Sequence, residues 1–306
     1  MRDLKIDFLG IRKWTMGLSG VLLLFSIVEL SMNGLNLGLD FTGGTLVEVE
    51  FEESVDPQDI RQLLASSGYE NGVVQFFGTD RDLLIRMPPQ ASVDQALLGD
   101  QILETLQNTY PKVVLRQSNY VGPAVGDELV EDAGLAVLSA LIVVMLYILF
   151  RFTKQFSAGA VISLVHDVII TLGIFAMMGW TFDLSVLAAV LAVIGYSLND
   201  TIVVCDRIRE NFRTIRRGTT EEIINTSINQ TLDRTLVTSM TTLFVLLALL
   251  IAGGESIFGF AVALTMGIVI GTYSSIYIAA VVLLLMKVTR EDLIVPEKEN
   301  ADNPMP

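Results

Sequence analysis

Apolar residues along this chain fall into two rhythms. In six stretches they dominate: 14–33, 123–150 (acidic at first, with Asp127, Glu128, Glu131 and Asp132, then apolar through Phe150), 156–178, 182–204, 234–252 and 258–286. A helix needs about 20 mostly apolar residues to cross a hydrocarbon layer roughly 30 Å thick. Inside that layer a spanning segment must satisfy its backbone hydrogen bonds internally, so six transmembrane helices are predicted. The first follows a short basic stretch, 1–13, with Arg2, Lys5, Arg12 and Lys13, as a signal peptide would. Its apolar run is long for that and no A-x-A-like cleavage site follows, so it reads as a retained helix.

Between the first two runs the rhythm changes. Val47, Val49 and Phe51 alternate with Glu48, Glu50 and Glu52, the period-2 pattern of a half-buried strand. Asp56 and Pro57 then supply an N-cap and a first-turn proline, Ile60, Leu63 and Leu64 an apolar helix face, and Gly68 a stop. Two short strands, 73–77 and 83–87, flank a turn at Gly78, Thr79 and Asp80. Ser92 and Gln95 form a capping-box pattern ahead of a second helix bearing Leu98, Ile102 and Leu106, and 113–120 is the last strand. The order β-α-β-β-α-β is that of the ferredoxin-like split motif. The expected fold is an all-α six-helix membrane bundle, with one α+β ferredoxin-like domain, residues 34–122, inserted between helices 1 and 2.

Composition agrees with a membrane protein. Mean hydropathy is +0.57 and 52% of residues are hydrophobic, above the roughly 45–50% of soluble chains. The net charge of −14 is unevenly spread: residues 34–132 hold 17 Asp and Glu against 5 Lys and Arg, a balance of −12. A nucleic-acid partner is excluded by that sign, because an acidic domain repels phosphates. A lone cysteine, Cys205, excludes an internal disulfide, and a lone histidine, His166, excludes any mechanism needing two.

Charge also orients the spans. Arg151 and Lys154 lie between spans two and three, Arg207, Arg209, Arg213, Arg216 and Arg217 between four and five, and Lys287 and Arg290 after span six. The alternate short connections, 179–181 and 253–257, carry no Lys or Arg. By the positive-inside rule both termini, a loop at 205–233 and a tail at 287–306 are cytoplasmic, and the acidic domain faces the other side.

The candidate chemistry sits where polar residues interrupt the apolar runs. Span four ends in Tyr196, Ser197, Asn199 and Asp200, before the charge cluster Asp206, Arg207, Arg209 and Glu210. A carboxylate within a span costs roughly 2.5–3.5 kcal/mol at mid-helix and marks a functional candidate. Span five opens with Arg234 and Thr235, and Thr238, Thr241 and Thr242 follow Arg234 at i+4, i+7 and i+8. That spacing makes one polar stripe. Arg234 at a depth similar to Asp200 predicts an ion pair between facing helices, lined by hydroxyls including Ser274 of span six. Hydrocarbon disfavours the carboxylate's charge and the guanidinium favours it, so proton occupancy and helix separation would be coupled. A pair that only fixes helix register is the plainer alternative. His166 and Asp167 mark a second polar point in span three, a proton relay or a packing hydrogen bond. The GxSG sequence at Gly17 to Gly20 matches a short intramembrane-protease pattern, but four residues with two glycines more simply pack helices. No HExxH or phosphate loop is present, and neither an enzyme, a metal site nor a cofactor beyond a transported H+ or Na+ is expected.

The motifs together resemble one family. Asp40, Phe41, Thr42, Gly43 and Gly44 look like the DFTGG signature of the SecD/SecF family of the bacterial protein-export machinery. Residues 195–211, 230–235 and 271–277 resemble that family's segments in spans four, five and six, in the same order. The chain is too short for the additional outer head domain of the SecD branch. The resemblance implies half of an RND-type membrane architecture completed by SecD. It implies work beside the SecYEG channel, with a translocating polypeptide as substrate, the surrounding inner-membrane lipid, and an ion gradient as power source. It carries ion coupling to Asp200 and Arg234 by motif position. The glycines of 40–44 suggest a tight backbone turn beneath the outer domain, structural rather than ligand-binding. A passive scaffolding subunit and a drug-efflux half-transporter remain the rival readings.

Overall fold

The computed structural model describes residues 6–69, 71–89, 95 and 97–289. Ser92 of the expected capping box, Arg290 and most of the tail at 287–306 lie outside the described residues.

The apolar runs are helices α1 (Arg12–Met32), α5 (Pro123–Arg151), α6 (Lys154–Met178), α7 (Leu184–Thr214), α8 (Thr220–Ala252) and α9 (Glu255–Leu285). All six are long and apolar enough to cross a membrane. The segment expected as a loop, 205–233, is helical except for 215–219, because α7 and α8 both continue beyond their apolar stretches. Thr219 starts α8 with a reciprocal capping box to Glu222, and Asn211 of α7 donates to Ser227 and Gln230 of α8 across the corner. Those caps and ties explain why polar sequence there stays helical.

Helices α6, α7 and α9 form the buried centre, and α1, α5 and α8 lie around it with most of their surface exposed. In hydrocarbon, helices gain little from burying apolar area against each other, and close packing at small residues replaces that drive. Gly267 of α9 lies so near Val193 of α7 that a Cβ would fall 2.2 Å from the valine Cγ2. Gly271, one turn on, meets Ser197 in the same way at 3.1 Å. Gly17 and Gly20 differ: a Cβ on either would meet nothing within 4 Å. The packing role expected for them is therefore corrected, since both lie on the exposed side of α1.

The hydrophilic segment folds as β2 (Gly44–Glu50), α3 (Pro57–Ser66), β3 (Val73–Phe77), β4 (Thr79–Met87), α4 (Leu98–Thr109) and β5 (Val114–Val121). The four strands pair antiparallel in the order β3-β4-β2-β5. Alternation puts Val47, Val49, Leu83 and Ile85 on one face, where they pack with Ile60 and Leu64 of α3 and Ile102 and Leu106 of α4. Asp56 caps α3 by accepting from the Gln58 amide at 2.8 Å, and Gly68 ends it at φ +93°. The β3–β4 turn is tighter than expected, pivoting on Gly78 at φ +79° with Phe77 paired to Thr79.

A second sheet was not expected. Asn36–Leu37 (β1) pairs in parallel with Thr181–Phe182 (β6), joining the chain just after α1 to the α6–α7 connection. Two residues per strand are too few to show a period. Arg86 of β4 reaches across, donating to the Leu37 carbonyl at 2.8 Å and to Asn36 Oδ1 at 3.2 Å. The four-stranded sheet is thereby tied to β1 and, through β6, to the α6–α7 connection.

Candidate functional site

Asp200 lies on α7 with only 6% of its surface exposed. Its position one turn after Ser197 turns it toward the centre of the bundle, between α8 and α9. Thr235 Oγ1 of α8 donates to Oδ1 at 2.7 Å, and Ser275 Oγ of α9 donates to Oδ2, also at 2.7 Å. Each carboxylate oxygen thus has one hydroxyl from a different helix. Hydrogen bonds to a charged group are worth about 1.5–3 kcal/mol each, enough to offset much of the cost of holding the charge there.

Arg234 is not part of that contact. Among the described residues no ion pair joins Asp200 to a basic side chain, and Arg234 is exposed. Its charge acts on Asp200 only through space. The reason is helical phase: successive residues point about 100° apart, so Thr235, which faces Asp200, turns its neighbour Arg234 away. The stripe read from the sequence follows Arg234 outward. Thr238 and Thr241 are exposed, Thr242 is half-buried, and all three hydroxyls bond back to carbonyls of their own helix. The buried polar ridge of α8 is instead Ser227, Thr231, Thr235 and Ser239, a strict i+4 series visible in the sequence. Ser239 continues the contact by donating to Thr272 of α9 at 2.7 Å. Asn199 is exposed and stands apart from Asp200.

Ser274 and His166 belong to a different centre, built on Asp167 of α6. Asp167 is fully buried. Its Oδ1 is 2.9 Å from His166 Nδ1, and its Oδ2 accepts from Ser274 Oγ at 2.7 Å and from Ser197 Oγ. Ser163 donates to Ser274 in turn at 3.0 Å. Asp167 was read from the sequence as a second polar point and Ser197 and Ser275 as polar residues of their spans, without the contacts that join them. The signal available was their spacing, with Ser163 four before Asp167, Ser197 three before Asp200, and paired serines at 274 and 275. Ser19 of the GxSG sequence does not reach His166. It donates to the Tyr273 hydroxyl at 3.0 Å, which itself donates to the Thr15 carbonyl.

The charge cluster at 206–210 is self-satisfied. Asp206 pairs with Arg151 at 2.7 Å and with Arg209 at 3.3 Å, and Arg207 pairs with Glu210.

Residues 40–44 form a joint. Asp40, in the short helix α2 (Leu39–Thr42), accepts from the Leu184 amide at the start of α7 at 3.0 Å. Phe41 is buried and stacks on Phe182, and Thr42 donates to the Gly38 carbonyl. Gly43 and Gly44 hold φ +64° and +116°, and a Cβ on Gly44 would sit 2.3 Å from the Met87 carbonyl oxygen. Beside this joint lies a cleft of about 620 Å³ between the open face of the four-stranded sheet and the ends of α7 and α9. It is lined in part by Glu48, Arg86, Trp180 and Phe258. The Glu48 carboxyl there is raised above its ordinary value, by burial first and by nearby Asp82, against the pull of Arg116.

Comparison with known proteins adds the family. Residues 101–289 match the protein export membrane protein SecD/SecF, C-terminal family, and residues 30–55 match the SecD/SecF GG motif. The protein translocase subunit SecF of Vibrio alginolyticus is 50% identical over 280 residues, 90% of this chain and 89% of that protein. That of Pseudomonas aeruginosa is 47% identical over 301 residues, 97% of both chains. The crystal structure of SecDF from Thermus thermophilus, described as a translocon-associated membrane protein, superimposes with a TM-score of 0.85 at 36% identity. It is matched over 93% of this chain, which spans only 39% of that longer one. The super-membrane-facing form of SecDF matches with a TM-score of 0.70 over the same shares. The chain therefore belongs to the SecD/SecF family of protein export membrane proteins, among its SecF subunits.

Proposed function

We propose that this chain is an ion-gradient-coupled accessory subunit of protein export, with Asp200 as the group that takes up and releases the coupling ion. The observation that carries the reading is the pair of hydroxyl bonds to Asp200. An ionised carboxylate accepts from both Thr235 and Ser275 and so draws α8 and α9 onto α7. A proton or sodium ion on Asp200 competes for those oxygens and loosens one or both helices. Occupancy and helix packing are then linked in both directions, and a charge moved through 100 mV supplies about 2.3 kcal/mol.

Arg234 takes a second role in this reading. An exposed guanidinium on a spanning helix is costly in lipid, so its face of α8 is where a second half packs. The SecDF neighbour, in which this chain corresponds to one part of a longer protein, supports SecD as that half, with Arg234 at the seam biasing Asp200 through space. The assembly lies in the bacterial inner membrane with both termini cytoplasmic. The sheet order β3-β4-β2-β5 fits a ferredoxin-like periplasmic domain, poised to hold polypeptide leaving the SecYEG channel in late, ATP-independent steps. The names of the relatives describe transport, not catalysis.

The test is export of a preloaded substrate by membrane vesicles holding the full complex, with proton and sodium gradients collapsed separately and then together. Export that depends on one gradient supports the reading and names the ion. Export that survives collapse of both would replace it with the scaffold.

A further inference from the structure

The Asp200 reading leaves the second buried carboxylate unused. Asp167 and His166 have 0% and 2% of their side chains exposed. The two hydroxyls on Asp167 Oδ2 both donate, since Ser274 itself receives the Ser163 proton. A carboxylate so supplied suits the ionised form, and its Oδ1 then accepts from His166 Nδ1–H. That tautomer leaves a lone pair on Nε2. Nε2 is buried with no hydrogen-bond partner, a rare condition for an interior polar atom. A proton placed there turns a buried net negative charge into a neutral imidazolium–carboxylate pair, which low-dielectric surroundings favour.

We propose that His166 and Asp167 form a second proton-binding site in the membrane core, with Nε2 of His166 as the seat of the proton. Its link to transport rests on the Asp200 reading; its existence does not. The link is built from two helices. Ser197, which donates to Asp167, is one turn from Asp200 on α7, and Ser274 and Ser275, which donate to Asp167 and Asp200, are adjacent on α9, so the two carboxylates are joined through two shared segments. Of the titratable groups on the helices around α6, Tyr273 of α9 stacks on the imidazole at 6.3 Å with Tyr277 behind it. From α7, Tyr196 adjoins Ser197, its hydroxyl buried without a hydrogen-bond partner, and Asp200 lies one turn on. The acidic and basic residues of α1 and α5 make no hydrogen bond or ion pair to either member.

His166 is the only histidine in the chain, so histidine labelled with nitrogen-15 reports on this one ring. The full chain, labelled and assembled with unlabelled SecD in lipid nanodiscs, is titrated by NMR across about pH 5 to 9, the range in which imidazoles change charge. The expected result is a neutral ring with hydrogen on Nδ1 at the high end and a reversible protonation of Nε2 on the way down. Asp200→Asn, which changes the carboxylate one turn from Ser197, should move that midpoint. A ring that stays neutral throughout, or carries its hydrogen on Nε2, overturns the site. A midpoint unmoved by Asp200→Asn overturns the link while leaving the site standing. Normal gradient-driven export by Asp200→Asn would sink the coupling reading without touching the titration.

Discussion

At the scale of single residues, the membrane core is held by hydroxyls serving two carboxylates. Asp200 and Asp167 are each bonded to side chains from two other helices or segments, and no basic side chain but His166 touches either. A buried ionised group that loses one donor costs about 1.5–3 kcal/mol. Thr235→Val keeps the shape and removes the donor, so thermal unfolding of the purified complex should shift downward. Combined with Asp200→Asn, the same change should cost less than the two single effects summed, because the hydroxyl no longer serves a charge. Strict additivity of the melting shifts would show that the bond does not matter. Asp200 was legible in the sequence because a carboxylate inside an apolar run has few innocent explanations. Its partners were less so. Arg234 attracted attention by its charge, whereas Thr235 beside it carries the contact by its phase on the helix.

At the scale of elements, close approach explains most of the packing. Gly267→Ala places a methyl against Val193, and such overpacking costs about 1–3 kcal/mol. Val193→Ala removes the offending carbons, so the double variant should regain most of the lost stability. Gly44→Ala offers the contrast. Its Cβ would strike the Met87 carbonyl oxygen, a backbone atom, at φ +116°, so truncating the Met87 side chain should rescue nothing. Melting curves of the four variants decide between these outcomes. The acidic domain's elements were readable because β2 alternates cleanly and α3 carries an N-cap, a proline and a stop. The pairing of β1 with β6 was not readable. It joins residues 145 positions apart through two residues on each side, and only the fold brings them together.

At the scale of the molecule, the polar ties between the acidic domain and the helix bundle include those of Arg86 to Asn36 and Leu37. Arg86→Met should leave the domain's core intact while raising amide exchange at Asn36 and Leu37, next to its two acceptors. Unchanged exchange there would mean that the joint at 40–44 holds the domain alone. That joint binds the first amide of α7 through Asp40, so the proposed loosening at Asp200 would reach it along the same helix. The most direct test of the account is Asp200→Asn in the full complex, with membrane insertion and SecD binding verified first. Asparagine keeps the size of the side chain and cannot bind a proton. Gradient-driven export should fall to the level of vesicles lacking this subunit. Export at the full rate would contradict the account.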